Sequence, residues 1–278
     1  MTRMLLLLGA IAGVFLTALP AQAQRVFVSG SGSDSNPCTF AAPCRSFQQA
    51  FNTVTAVTTS GGEIDVLDPA GYGPLTITHG ISIQAHGFGG ITQTGGLNYA
   101  ITINAGTSDV VTLNGLLLDG DNSGGAGIDL NTAGSLQVLN CVIRHFASFG
   151  IFFNPSSSTN LLVSNTVTSD NGETGILIEP MNGAGTTPVT LKRITANNNS
   201  FGIAIAGGKA MIAKSVMSNN GVGLQSDSGV TWVASSTISG NGTGVNFAGG
   251  TVDSYGNNAI DGNSADISNG TLSSANTQ

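Results

Sequence analysis

Along most of the chain, apolar residues fall on alternate positions in short runs, and each run follows a glycine. Gly127-Ile128-Asp129-Leu130, Gly150-Ile151-Phe152-Phe153, Gly175-Ile176-Leu177-Ile178 and Gly202-Ile203-Ala204-Ile205 share this form, and Gly223-Leu224 and Gly244-Val245-Asn246-Phe247 continue it. Looser copies begin at Ala100 and Asp266, so successive spacings are 27, 23, 25, 27, 21, 21 and 22 residues. Repeats of helix pairs need roughly 33 residues or more and a 3.6-residue apolar period, so this pattern excludes them. It predicts a coil of about eight or more turns, with short strands stacked roughly 4.8 Å apart. Ile128, Ile151, Ile176, Ile203, Leu224 and Val245 then point inward, and Phe152 and its equivalents point outward. A second alternation upstream, as in Val138-x-Asn140-x-Val142, predicts a further strand in each turn. Asn199, Asn220, Asn241 and Asn263 each stand three residues before the marker position. Amides repeated at one turn position can bond along the axis as a ladder.

This repeat resembles that of the right-handed parallel β-helix proteins of the pectin-lyase-like superfamily, over roughly Glu63 to Leu272. A second resemblance lies upstream. Val26-Phe27-Val28-Ser29-Gly30-Ser31-Gly32-Ser33-Asp34-Ser35-Asn36-Pro37, followed by Ala42-Pro43-Cys44-Arg45-Ser46-Phe47-Gln48-Gln49-Ala50-Phe51, is similar to the N-terminal cap of secreted bacterial members. Phe47, Ala50 and Phe51 have the spacing of one apolar helical face, suited to covering the open end of the coil. Asp34 and Asn36 read as turn formers. The expected fold is all-β, a right-handed parallel β-helix with a short N-terminal capping helix. Its expected divisions are a signal peptide at 1–23, a cap at 24–62, the β-helix at 63–272 and a frayed tail at 273–278.

Composition adds the compartment. Arg3, the apolar run Leu5 to Leu19 and the small residues of Ala21-Gln22-Ala23 form a secretory leader, too short in its apolar part for the roughly 20 residues of a membrane span. In an oxidising compartment the close pair Cys38 and Cys44 is expected to form a disulfide, leaving Cys141 as a buried small hydrophobe. The 278 residues include 40 Gly and 25 Asn but only 8% charged residues, with a formal net charge of -7. Such a chain is neither a basic nucleic-acid binder nor disordered through charge. The protein is therefore expected to be secreted or periplasmic and monomeric, without nucleic-acid or membrane partners.

The resemblance implies polysaccharide as the partner, but the catalytic strings of the best-known enzymes of the superfamily are missing. No two acids are adjacent, no Gly-His-Gly occurs, and neither Trp-Ile-Asp-His nor Arg-x-Pro-x-x-Arg is present. Counted back from the marker glycine, His145 and Asp170 share one offset, which predicts that they stack one strand spacing apart beside Arg144. A lyase would use His145 or Arg144 as base, with Asp170 orienting His145. The second candidate surface is the outward stripe of Asp129, Phe152, Asn154, Leu177 and Glu179, where a sugar ring could stack on Phe152 and Leu177. Longer repeats fall between positions 100 and 202, and insertions in solenoids tend to mark the binding side. The reading that follows is an exported solenoid that binds an extracellular glycan without catalysis. An atypical polysaccharide lyase and a structural or adhesion module are the alternatives. Neither a metal nor another cofactor is expected.

Overall fold

Each turn of the coil is three short strands, because apolar residues alternate in three runs and the links between them tolerate unusual backbone. The computed structural model describes residues 24–55, 61–94, 98–181 and 187–275. The expected signal peptide at 1–23 lies outside them. In one turn, Ala126–Thr132 is followed by Ser135–Leu139 and Val142–Arg144. A single left-handed residue bends the chain between the second and third strands. It is Asn140 at φ 54°, Asn165 at 51°, Arg193 at 54°, Lys214 at 53° and Ser235 at 50° in successive turns. Asn is the side chain best suited to that conformation and leads the series.

Successive turns pair in parallel. The first strands of the turns, from Leu75–Ile77 to Ala265–Ser268, form a nine-stranded sheet, and the remaining strands form an eighteen-stranded sheet. Ile101, Ile128, Ile151, Ile176, Ile203, Leu224 and Val245 are in register across the nine-stranded sheet. All seven are fully buried. The fold is a parallel β-solenoid with, among the described residues, one helix, Phe47–Thr55.

The asparagines form the ladder that their spacing predicts. Asn199 donates its amide N–H and Nδ2 to Asn220 Oδ1 at 3.0 and 3.1 Å, and Asn220 does the same to Asn241 at 2.9 and 3.0 Å. Asn241 repeats the pattern on Asn263 at 3.0 and 2.8 Å. Asn171 belongs to the ladder as well, donating to Asn199 Oδ1 at 3.0 Å from both nitrogens. It escapes the three-residue rule because its turn is one residue longer, placing it four before Gly175.

The ladder explains the marker glycine. A Cβ on Gly202 would lie 2.7 Å from the Gly223 carbonyl oxygen and 2.9 Å from Asn220 Nδ2, and one on Gly223 would lie 2.8 Å from the Gly244 oxygen and 2.9 Å from Asn241 Nδ2. The glycine is required by the close approach of the next turn.

A second inner series uses hydroxyls. The amides of Ile194 and Ser215 donate to Ser215 Oγ and Ser236 Oγ at 3.1 and 3.2 Å. Cys141 stands in this column, with its amide on Thr166 Oγ1 at 3.4 Å. It is a buried free thiol, whose desolvation pushes its pKa up to about 11. The Cys38–Cys44 disulfide is formed, and both residues are fully buried.

The helix buries Phe47, Ala50, Phe51 and Val54 and packs against Arg25–Val28 and Gly62–Val66. Ser46 Oγ accepts the Gln49 amide at 3.2 Å, an N-cap. Asp34 accepts the amides of Arg45 and Ser46 and the Ser46 hydroxyl, and Asn36 Nδ2 donates to the Pro43 carbonyl at 2.8 Å. Partial burial raises the Asp34 pKa, but these hydrogen bonds outweigh it and hold the carboxyl below its ordinary range. At both ends the sheet reaches further than the repeat indicates. Arg25–Val28 pairs with Glu63–Val66, inside the segment read as cap. Ser273 and Ser274 pair with Asp253 and Ser254, so these first residues of the expected frayed tail are ordered by backbone hydrogen bonding; 276–278 lie outside the described residues.

The ladder predicts a sharp difference between two glycines. Gly202→Ala is expected to destabilise the protein by roughly 1–3 kcal/mol through overpacking, whereas Gly71→Ala, where a Cβ would meet nothing within 4 Å, is expected to be near neutral. Denaturant unfolding of the two variants checks this, and equal stabilities would remove the ladder as the reason for the glycine.

Candidate functional site

Two surfaces gather the candidate residues, and the register keeps them apart. The first lies at the end of the third strand. Leu117–Asp119 pairs with Val142–Arg144 so that Asp119 stands directly opposite Arg144. Arg144 Nε donates to Asp119 Oδ2 at 3.0 Å, and His145 Nδ1 lies 3.2 and 3.3 Å from the two carboxylate oxygens. Partial burial pushes the Asp119 pKa up, yet the Asp121 amide, Arg144 and His145 together hold it below the ordinary carboxylate range. Arg144 and Asp119 also line a cavity of about 290 Å³ with Phe88 and Leu117.

The pairing of His145 with Asp170 is not formed. Their backbones are neighbours, since Arg144 is opposite Ser169, and both stand at left-handed positions with φ 58° and 57°. Their side chains bond in opposite directions along the axis. His145 meets Asp119 on the preceding turn, and Asp170 accepts Asn198 Nδ2 at 3.1 Å from the following one. Arg144 bonds the same Asp119 carboxylate as the imidazole. Counting offsets back from the glycine also misaligned Asp170 with Asn197, because the 170–173 turn has an extra residue. Asp170 instead lines a shallow groove of about 1130 Å³ with Asn122, Asn198, Asn219, Phe201 and Val222.

The second surface is the outer face of the nine-stranded sheet. Asp129, Phe152, Leu177, Ala204, Gln225 and Asn246 are in register on six successive strands. At roughly 4.8 Å per strand, this row extends about 24 Å along the axis. Phe149 stacks on Phe152 with ring centroids 4.9 Å apart and planes 29° apart. Phe149 directly precedes the marker Gly150. Alternation alone would turn it inward, and the inward-facing glycine between it and Ile151 reverses that expectation.

Asp129 departs from the expected exposed stripe. It is only 4% exposed, enclosed between Thr102 and Phe152 in the row, and accepts Asn131 Nδ2 on Oδ2 at 3.0 Å. Desolvation raises its pKa, with the Asn131 hydrogen bond opposing in part. Asn154 is half-buried, and its Oδ1 has no hydrogen-bond donor among the described residues. Glu179 is exposed at the end of Thr174–Ile178. Of the Pro180 to Pro188 loop beside it, 182–186 lie outside the described residues. Among the described residues no three His, Cys, Asp or Glu side chains converge as a metal centre would require.

With this geometry in hand, known proteins supply the class of fold. No protein-family model matches the chain, and no curated protein matches it in sequence. Among solved structures, the crystal structure of pectate lyase Pel9A is similar, with a TM-score of 0.50 and 16% sequence identity, over 92% of this chain and 79% of that one. That likeness is one of architecture: both chains are parallel β-helices.

The two buried or paired carboxylates make opposite contributions to stability against pH. Asp119 has a lowered folded-state pKa, so its stabilisation is present above the ordinary carboxylate pKa and is lost as pH falls through the lowered value. Asp129 has a raised one, so stability declines as pH rises from the ordinary carboxylate pKa through the raised value. Asp129→Asn is therefore expected to melt above wild type at pH 7 and to lose that advantage at pH 3, while Asp119→Asn melts below wild type at pH 7. Thermal melts at both pH values check the signs.

Proposed function

We propose that the chain is an exported, non-catalytic β-solenoid that recognises an extracellular polysaccharide on the outer face of its nine-stranded sheet. The observation that carries this reading is the in-register row from Asp129 to Asn246, with the Phe149–Phe152 pair at its apolar section. Aromatic rings held rigidly on strands offer a flat apolar surface for the face of a sugar ring, and flanking amides and carboxylates bond its hydroxyls. A straight row spanning several strands suits an extended polymer. Export is supported by the leader at 1–23 and by the buried disulfide, since such bonds persist in oxidising compartments. No helix among the described residues is long and apolar enough to cross a membrane.

The Asp119, Arg144 and His145 cluster favours a second reading, a polysaccharide lyase in which Asp119, instead of Asp170, orients His145 as base. Against it stands the engagement of Arg144, whose guanidinium is already paired with the same carboxylate.

A glycan array run beside an assay for unsaturated uronide release separates these readings. Binding without release is expected. Phe152→Ala is expected to weaken that binding about tenfold, the ~1.4 kcal/mol scale of one lost anchor contact, and His145→Ala to leave it unchanged. Uronide release that His145→Ala abolishes would establish the lyase, and binding that survives Phe152→Ala intact would move the site off this face.

A further inference from the structure

We propose that the outer face of the nine-stranded sheet selects uncharged polysaccharide and rejects polyuronates. This rests on the glycan-recognition reading above and adds the charge class of its ligand.

The inference comes from where the cations are. None of the nine strands carries Lys, Arg or His. From Thr94 to Leu191 the sequence contains seven acids and two bases, Arg144 and His145. Both bases lie beyond the sheet, at the end of a third strand, and both turn onto Asp119. Lys192 and Arg193 follow on Pro188–Asn197, which belongs to the other sheet. Phe152 therefore has Asp129 beside it in register and Glu179 beyond Leu177, and the next cation, Lys209, stands four residues past Ile205 on a strand of the other sheet.

Recognition of a carboxylate requires charge-assisted donors, which Arg and Lys supply. A uronate seated on Phe152 would instead meet the enclosed Asp129 and the nearby Glu179, carboxylates that only accept when ionised. Like charges brought together where water is partly excluded repel strongly. Hydroxyl groups fit the same surroundings, because each can donate to the exposed Glu179 carboxylate while accepting from a side-chain amide. The row is complementary to a ligand rich in hydroxyls and free of negative charge.

Affinity electrophoresis on matched polymer pairs tests this. The probes are polygalacturonate and its methyl ester, carboxymethyl cellulose and hydroxyethyl cellulose, with neutral arabinan and galactan alongside, each at low and high salt and with and without calcium. The uncharged member of at least one pair, or a neutral polymer, is expected to retard the protein. The charged partners are expected to bind at least tenfold more weakly at low salt, with the gap narrowing as salt screens the repulsion. Glu179→Lys is expected to strengthen retention by polygalacturonate several-fold relative to its methyl ester. Stronger binding of a charged member than of its uncharged partner, in either calcium condition, would overturn the selectivity and leave glycan recognition standing. Retention by none of the polymers would overturn glycan recognition itself, and this inference with it.

Discussion

The close contact between each marker glycine and the asparagine ladder is the constraint on which the rest of the structure depends. Asn199, Asn220, Asn241 and Asn263 each accept two hydrogen bonds on Oδ1 from the preceding turn and donate Nδ2 to a backbone carbonyl, as Asn220 does to that of Ala196 at 3.0 Å. Removing one such side chain would leave several buried partners unsatisfied, at roughly 1–3 kcal/mol each. The amide approaches the strand of the preceding turn so closely that only glycine fits beside it. One register satisfies both demands, and a slip by one residue would bury the outward row and expose the isoleucines.

Register fixed on the inside arranges the outside. Because turns repeat without slipping, outward residues form straight rows, and the chemistry of the surface becomes a matter of which residue types occupy each row. On the nine-stranded sheet the row is apolar in the middle and polar at both ends. On the third strand the corresponding row brings Asp119 under Arg144. The solenoid thus separates a face whose nine strands carry no cation from a corner where Arg144 and His145 pair with Asp119. The net charge of -7 is consistent with a molecule that has little surface on which to hold anions.

The inner architecture was legible in the sequence because stacking repeats the same requirement every 21 to 27 residues. The isoleucine column and four of the five ladder asparagines are readable by spacing alone. The fifth, Asn171, lies in a lengthened turn, and the same extra residue misplaced Asp170 against its neighbours. Side-chain partners were less legible than backbone positions. His145 and Asp170 do stand on adjacent turns, but rotamer choice and competition from Asp119 decide whom each meets. Phe149 is not legible in the alternation because it breaks the pattern at a glycine, and the enclosure of Asp129 depends on neighbours in three dimensions that a one-dimensional stripe does not contain.

The most direct measurement is a crystal structure of the protein with a neutral oligosaccharide bound. The account predicts the sugar on the outer face of the nine-stranded sheet, one ring against Phe152 and Phe149 and the chain running along the row toward Gln225. An oligosaccharide found instead beside Arg144 and His145, making no contact with Phe152, would contradict it.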